Sequence, residues 1–169
     1  TVALADYAPP IDRALLALKF AGEIALAAPL GRALARAHRR TLGPRLGNAP
    51  APDRPLVFAP VPLAPQRLVR RGFNQSAEIA RAAARLAGAR FDAALLARTR
   101  ETPAQSLLAL EHRRGNLEGA FVATRRIDGG AVVVIDDVMT SGATLHACAL
   151  ALKAAGARVV HNLVVARTP

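Results

Sequence analysis

Residues 131–144 read Ala-Val-Val-Val-Ile-Asp-Asp-Val-Met-Thr-Ser-Gly-Ala-Thr, and no other stretch of this 169-residue chain limits its fold and chemistry so tightly. The apolar run from Ala131 to Asp136 is the pattern of a strand covered on both faces, as in a parallel sheet. It ends in two adjacent carboxylates, Asp136 and Asp137. A loop of small and hydroxyl residues follows, and a helical pattern opens behind it. Loop amides and a helix N-terminus attract phosphate, and carboxylates accept hydrogen bonds from sugar hydroxyls. The string therefore suits a phosphorylated sugar. The plain alternative is that Asp136 and Asp137 cap the following turn, which does not explain the whole ordered string.

The rest of the chain alternates strand and helix patterns. Residues 9–20 and 23–40 read as helices, with Gly22 between them and Pro29 as a kink or boundary. Residues 41–55 hold four prolines and two glycines and read as a linker. Residues 56–63 are an apolar strand ending in a loop constrained by Pro60 and Pro62. A helix is expected from near Asn74, with Ile79, Ala82, Ala83 and Leu86 at helical spacing and Gly88 as its stop. Short strands are expected at 93–97 and 119–124, and a longer one at 158–166. Between the last two lie the 131–136 strand and a helix with Leu145, Cys148, Ala149 and Leu152 on one face, closed by Gly156. This alternation predicts an α/β fold whose mostly parallel sheet is flanked by helices. Residues 1–55 are expected to form an N-terminal helical extension with its linker, and residues 56–169 the core domain.

Composition narrows the chemistry. The net charge is +11, and the only lysines are Lys19 and Lys153, so arginine carries nearly all of it. That balance favours anionic partners, and the arginine fork suits phosphate. Arginine-rich coding in a high-GC genome is the rival explanation. Aromatics make up 4% of the chain and tryptophan is absent, which argues against base-stacking platforms for single-stranded nucleic acid. The single cysteine, Cys148, excludes an internal disulfide and a cysteine-based zinc site within these residues and points to a reducing, cytoplasmic setting. It falls on an apolar helix face and reads as core. The four histidines show no metal-ligand spacing. His161 reads as structural and His146 as an exposed helix position. No apolar run long enough to span a bilayer is present, so no membrane association is expected, and no signal-peptide pattern is seen.

A strand ending in paired aspartates also occurs in nucleoside triphosphatases, but neither lysine follows a glycine, so the required Gly-Lys-Ser/Thr loop is missing. The 131–144 string instead resembles the signature of type I phosphoribosyltransferases, which bind phosphoribosyl pyrophosphate. The resemblance implies that Asp136 and Asp137 contact the ribose 2′- and 3′-hydroxyls. It implies that Thr140, Ser141, Gly142, Ala143 and Thr144 hold the 5-phosphate. Pro60-Val61-Pro62-Leu63, Arg67 and Arg71-Gly72-Phe73-Asn74-Gln75 resemble the ComF family of phosphoribosyltransferase-like competence proteins. So do Arg98-Thr99-Arg100, Thr102-Pro103, Gln105, Arg113, Asn116, Gly119-Ala120-Phe121 and the early Leu18-Lys19-Phe20.

By that resemblance, Arg67 and Arg71 face the pyrophosphate, where fixed cations would stabilise charge on the leaving group. The alternative is that they are solvated arginines at a helix start. Residues 98–110 match the loop that closes over the site in type I enzymes, with Arg100 and Gln105 as candidate catalytic participants or ordinary surface residues. Leu107, Ala109 and Leu110 stand where the family carries polar residues. The family's four-cysteine zinc module has no counterpart here, so no zinc is expected. Magnesium is expected on the pyrophosphate. The implied activity is transfer of the phosphoribosyl group to a nitrogen nucleophile, and a homo-oligomer is compatible with it. The rival is a non-catalytic sensor of phosphoribosyl pyrophosphate or a protein that handles single-stranded DNA during uptake.

Overall fold

The computed structural model describes residues 1–41, 56–99 and 119–168. In chain order these form β1 (Val2–Asp6), α1 (Ile11–Phe20), a short 3-10 turn (Ile24–Leu26), α2 (Ala27–Thr41), β2 (Leu56–Pro60), α3 (Pro65–Arg71) and α4 (Gln75–Ala87). There follow β3 (Arg90–Phe91), β4 (Leu96–Arg98), β5 (Phe121–Ala123), β6 (Ala131–Met139), α5 (Ala143–Ala154) and β7 (Val159–Arg167).

Five strands make one sheet in the order β1-β7-β6-β2-β3, and every pairing in it is parallel. β6 lies at its centre and is buried from Ala131 to Ile135, as its unbroken apolar run demands. Its side chains alternate between two cores. Val132 and Val134 pack with Leu145, Cys148 and Leu152 of α5, while Val133 and Ile135 pack with α1, α2 and α4. β4 and β5 form a separate antiparallel ribbon.

Several expectations need correcting. Residues 1–41 are not an appended helical unit: β1 joins the main sheet through β7, and α2 packs on α4. β1 escapes notice because Val2-Ala3-Leu4-Ala5 is too short and alanine-rich to read as a strand. Pro29 falls in the first turn of α2, where a missing N–H costs nothing, and the boundary precedes it. The strand expected at 93–97 starts at Leu96, because residues 93–94 turn around Asp92, whose carboxylate accepts from the Ala94 amide at 3.0 Å. β2 stops at Pro60, and residues 65–71, rich in arginine, form a helix with proline at its start. The linker expected at 41–55 falls, after Thr41, outside the described residues. His161 is structural as expected: its Nδ1 lies 3.2 Å from Nε2 of the buried His38. Cys148 is fully buried, and burial pushes its thiol up.

Two predictions follow from this packing. A Cβ on Gly31 of α2 would meet Ile79 O at 2.4 Å and Ala82 Cβ at 2.8 Å, so the two helices touch through backbone. Gly31→Ala is expected to destabilise the protein by about 2 kcal/mol in urea unfolding despite alanine's better helix propensity, whereas Arg32→Ala on the exposed face stays within about 0.5 kcal/mol. Burial first, then His161, hold His38 down at about 4. A lowered pKa means the unfolded chain takes up a proton that the fold refuses. The contribution of this one group to stability is therefore complete above about pH 6.5 and falls by on the order of 2 kcal/mol towards pH 4. His38→Leu is expected to flatten that limb of the unfolding profile.

Candidate functional site

The carboxyl ends of β2 and β6 open into a cleft of about 190 Å³. This is where ligands bind in open parallel sheets. Lys19, Arg67, Arg71, Gln75, Arg98, Asp136, Asp137 and Thr144 contribute its polar lining.

The segment 71–76 folds so that nearly every residue serves the cleft or holds its wall. Gly72 ends α3 with φ +80°, a conformation that favours glycine. Phe73 packs against the core under α4. Asn74 is the N-cap of α4, with Oδ1 accepting from the Ser76 amide at 3.0 Å. Its Nδ2 donates to Val61 O at 3.0 Å, fixing the loop after β2. The start of α4 is thereby set against the end of β6. Gln75 Nε2 donates to Asp137 Oδ2 at 3.0 Å, and Ser76 Oγ donates to Asp136 Oδ1 at 3.1 Å. Gln75 Oε1 in turn accepts from Arg71 Nη1.

Lys19, in the last turn of α1, places Nζ 2.6 Å from Asp137 Oδ2. Asp137 is 5% exposed, so this ion pair lies largely out of water. Asp136 remains partly exposed beside it. Burial of its carboxyl and then the adjacent Asp137 push Asp136 up to about 8, against the pull of the Asp137 amide, Ser76 and Lys19. Partial burial lowers the Arg71 pKa from its ordinary value; Asp137 opposes that shift, and Arg67 and Arg70 reinforce it. The Arg71 guanidinium also lies 5.3 Å from the centre of the exposed Phe20 ring.

Of the residues singled out from sequence, Arg67, Arg71, Asp136, Asp137 and Thr144 meet in this cleft. Thr140 and Ser141 are exposed and Ala143 is buried; neither they nor Gly142 line the cleft. Gly142 adopts φ +76° as the N-cap of α5 and supplies no side-chain cap. The Ala143 amide that opens α5 instead donates to Ser141 Oγ at 3.4 Å, a long contact from the residue before the N-cap. Arg100 and Gln105, with Leu107, Ala109 and Leu110, lie outside the described residues. Lys19, Gln75, Ser76 and Arg98 carry no functional assignment from sequence reasoning, although Lys19, Gln75 and Arg98 stand inside the motifs quoted for the resemblance. Exposed His146 takes no part in the cleft lining. No group of three metal-ligating side chains occurs among the described residues.

Residues 74–169 match the family described as phosphoribosyl transferase domain. The DNA utilization protein YhgH of Escherichia coli K12 is 36% identical over 170 residues, covering 99% of this chain and 71% of that protein. Competence protein ComFC of Streptococcus pneumoniae R6 is 31% identical over 110 residues, covering 65% of this chain and 47% of its own length. Among solved structures, a glutamine phosphoribosylpyrophosphate amidotransferase from B. subtilis aligns with TM-score 0.49 at 20% identity, over 82% of this chain and 25% of that one. A hypoxanthine phosphoribosyltransferase from Trypanosoma cruzi aligns with TM-score 0.48 at 12% identity, over 83% of this chain and 63% of the other.

The raised Asp136 carboxyl has a measurable consequence. Between about pH 4 and pH 8 the fold keeps a proton that the unfolded chain has released, so this group's contribution to stability falls as pH rises through that window. Urea unfolding of Asp136→Asn is expected to show a shallower decline from pH 4 to pH 8 than wild type, with the variant gaining most, relative to wild type, at the alkaline end.

Proposed function

The chain belongs to the phosphoribosyl transferase domain family and is related to the YhgH and ComFC proteins, and from that premise we propose that it binds phosphoribosyl pyrophosphate and transfers its phosphoribosyl group to a nitrogen nucleophile. One observation carries the reading. A single cleft is lined by an acidic pair, by Arg67 and Arg71, and by Thr144 from the first turn of α5, whose N-cap is a glycine.

The ligand has the matching charge layout. Its diol would accept and donate at the carboxylate side. Its diphosphate would lie against Arg67 and Arg71. Its 5-phosphate would lie against the amides that open α5, with Thr140, Ser141 and Thr144 as hydroxyl donors and Gly142 allowing close approach. Thr144 already faces the cleft, while Thr140 and Ser141 would have to be reached at its rim. Arg100 and Gln105 are retained as candidate participants from the segment outside the described residues.

In the reaction the nitrogen lone pair forms a bond to C1 of the ribose. The C1–O bond breaks, and its electron pair leaves on the diphosphate oxygen. The nucleophile's excess proton passes to solvent or a base. Arg67 and Arg71 would stabilise the charge that grows on the leaving group. The acidic end of β6 would hold the ring so that C1 faces the attacking nitrogen. Magnesium would offset diphosphate charge when bound.

A second reading has its own support. Arg32, Arg36, Arg39 and Arg40 are all exposed on α2, which carries no acidic residue, and the YhgH relatives are named DNA utilization proteins. That face would bind single-stranded DNA, with or without catalysis in the cleft. Its affinity would fall steeply with salt. No helix among the described residues is long and apolar enough to cross a membrane.

Isothermal calorimetry with magnesium and phosphoribosyl pyrophosphate tests the main reading. Wild type is expected to bind, and the double variant Asp136→Asn/Asp137→Asn to bind at least about tenfold more weakly. Equal heats from both proteins would contradict it. Release of pyrophosphate across a panel of nitrogen bases then separates an enzyme from a sensor.

A further inference from the structure

Adjacent acidic residues in such a signature invite a single shared role, yet their surroundings here differ. Asp137 is engaged at both oxygens. Its Oδ2 accepts from both Lys19 at 2.6 Å and Gln75 at 3.0 Å, and its Oδ1 accepts from the Val138 amide at 2.7 Å. Asp136 is not. Its Oδ1 accepts from Ser76 Oγ and the Asp137 amide, while Oδ2 has no protein partner among the described residues and is not sealed from solvent.

The Asp137 side continues through protein. Gln75 is 4% exposed, and both ends of its amide are engaged. Its oxygen faces the Arg71 guanidinium and its nitrogen faces the carboxylate. The reverse orientation would set N–H against N–H and oxygen against carboxylate, so the flanking charges fix the amide. The result is a chain of alternating donors and acceptors: Lys19, Asp137, Gln75, Arg71. It starts on α1 and ends at the arginine beside the cleft.

We infer that the two aspartates divide the work: Asp136 alone reads the sugar hydroxyls, while Asp137 is a positioning residue that, with Lys19 and Gln75, aims Arg71 at the diphosphate. The inference rests on the proposed binding of phosphoribosyl pyrophosphate. It assigns different halves of that ligand to neighbouring carboxylates. It also gives α1 a part in the site through Lys19. The elevated Asp136 carboxyl accords with this division: burial and then Asp137 raise it, and Lys19, paired at 2.6 Å with Asp137, only partly offsets them.

Calorimetry with two fragments distinguishes the halves. Ribose 5-phosphate carries the diol and no diphosphate; inorganic pyrophosphate with magnesium carries the reverse. Asp136→Asn is expected to weaken ribose 5-phosphate by about tenfold or more and to leave pyrophosphate within about twofold. Asp137→Asn, Gln75→Leu and Lys19→Met are each expected to weaken pyrophosphate about fivefold or more while sparing ribose 5-phosphate. Lys19→Arg restores most of the loss, which a role in folding alone would not separate by ligand.

Asp137→Asn weakening ribose 5-phosphate as much as Asp136→Asn would overturn the division. Loss of pyrophosphate in Lys19→Met but not in Asp137→Asn would overturn the relay, making the lysine a direct contact. Wild type binding neither fragment would defeat the ligand reading and the Asp136 assignment with it. The relay is then judged by a double-mutant cycle in urea unfolding. Strong non-additivity between Lys19→Met and Asp137→Asn is expected, and additive losses would contradict it.

Discussion

Two neighbouring carboxylates at the end of a strand buried on both faces are an electrostatic demand that the surrounding structure must answer. Charge removed from water is costly unless it is paired and hydrogen-bonded. The answer comes from three elements. α1 brings Lys19, the start of α4 brings Gln75 and Ser76, and the strand's own amides fill remaining positions. The positions of α1, α3 and α4 around the cleft are thus tied to β6 through polar contacts as well as packing. Removing one partner would leave a largely buried charge behind, which makes the arrangement cooperative.

That same demand brings both signs of charge into the cleft. Acid sits at the end of β6, and Arg71 of α3 is joined to it by a neutral amide. A ligand with a polyol in its middle and phosphates at its ends offers hydroxyl donors to the acid and anions to the arginines. The +11 net charge adds a long-range pull on any phosphorylated ligand. The arginines on α2 are exposed and do not line the cleft.

Much of this was legible from residue order, and the reasons are local. An unbroken apolar run announces the central strand, and Gly88 marks the end of α4 because its φ of +62° suits glycine. The acidic pair and the two arginines were visible as a pattern of charges at strand and helix ends. The contacts that organise them were not. Lys19 lies more than a hundred residues from Asp137, and only the packing of α1 on the sheet brings them together. Gln75 and Ser76 look like ordinary first-turn residues until α4 is set against β6. β1 is invisible for a similar reason: its pairing with β7 joins the two ends of the described chain, which no short window of sequence contains. Thr140, Ser141 and Gly142 were readable as a phosphate loop by residue type, whereas their placement outside the cleft lining depends on how the turn leaves β6.

A crystal structure grown with magnesium and phosphoribosyl pyrophosphate tests the central claim most directly. The account predicts ligand density in the cleft between β2 and β6, the ribose diol against Asp136, the diphosphate against Arg67 and Arg71, and the 5-phosphate at the opening turn of α5. Density for the ligand on another surface, or a pose with the sugar hydroxyls turned away from Asp136, would contradict it.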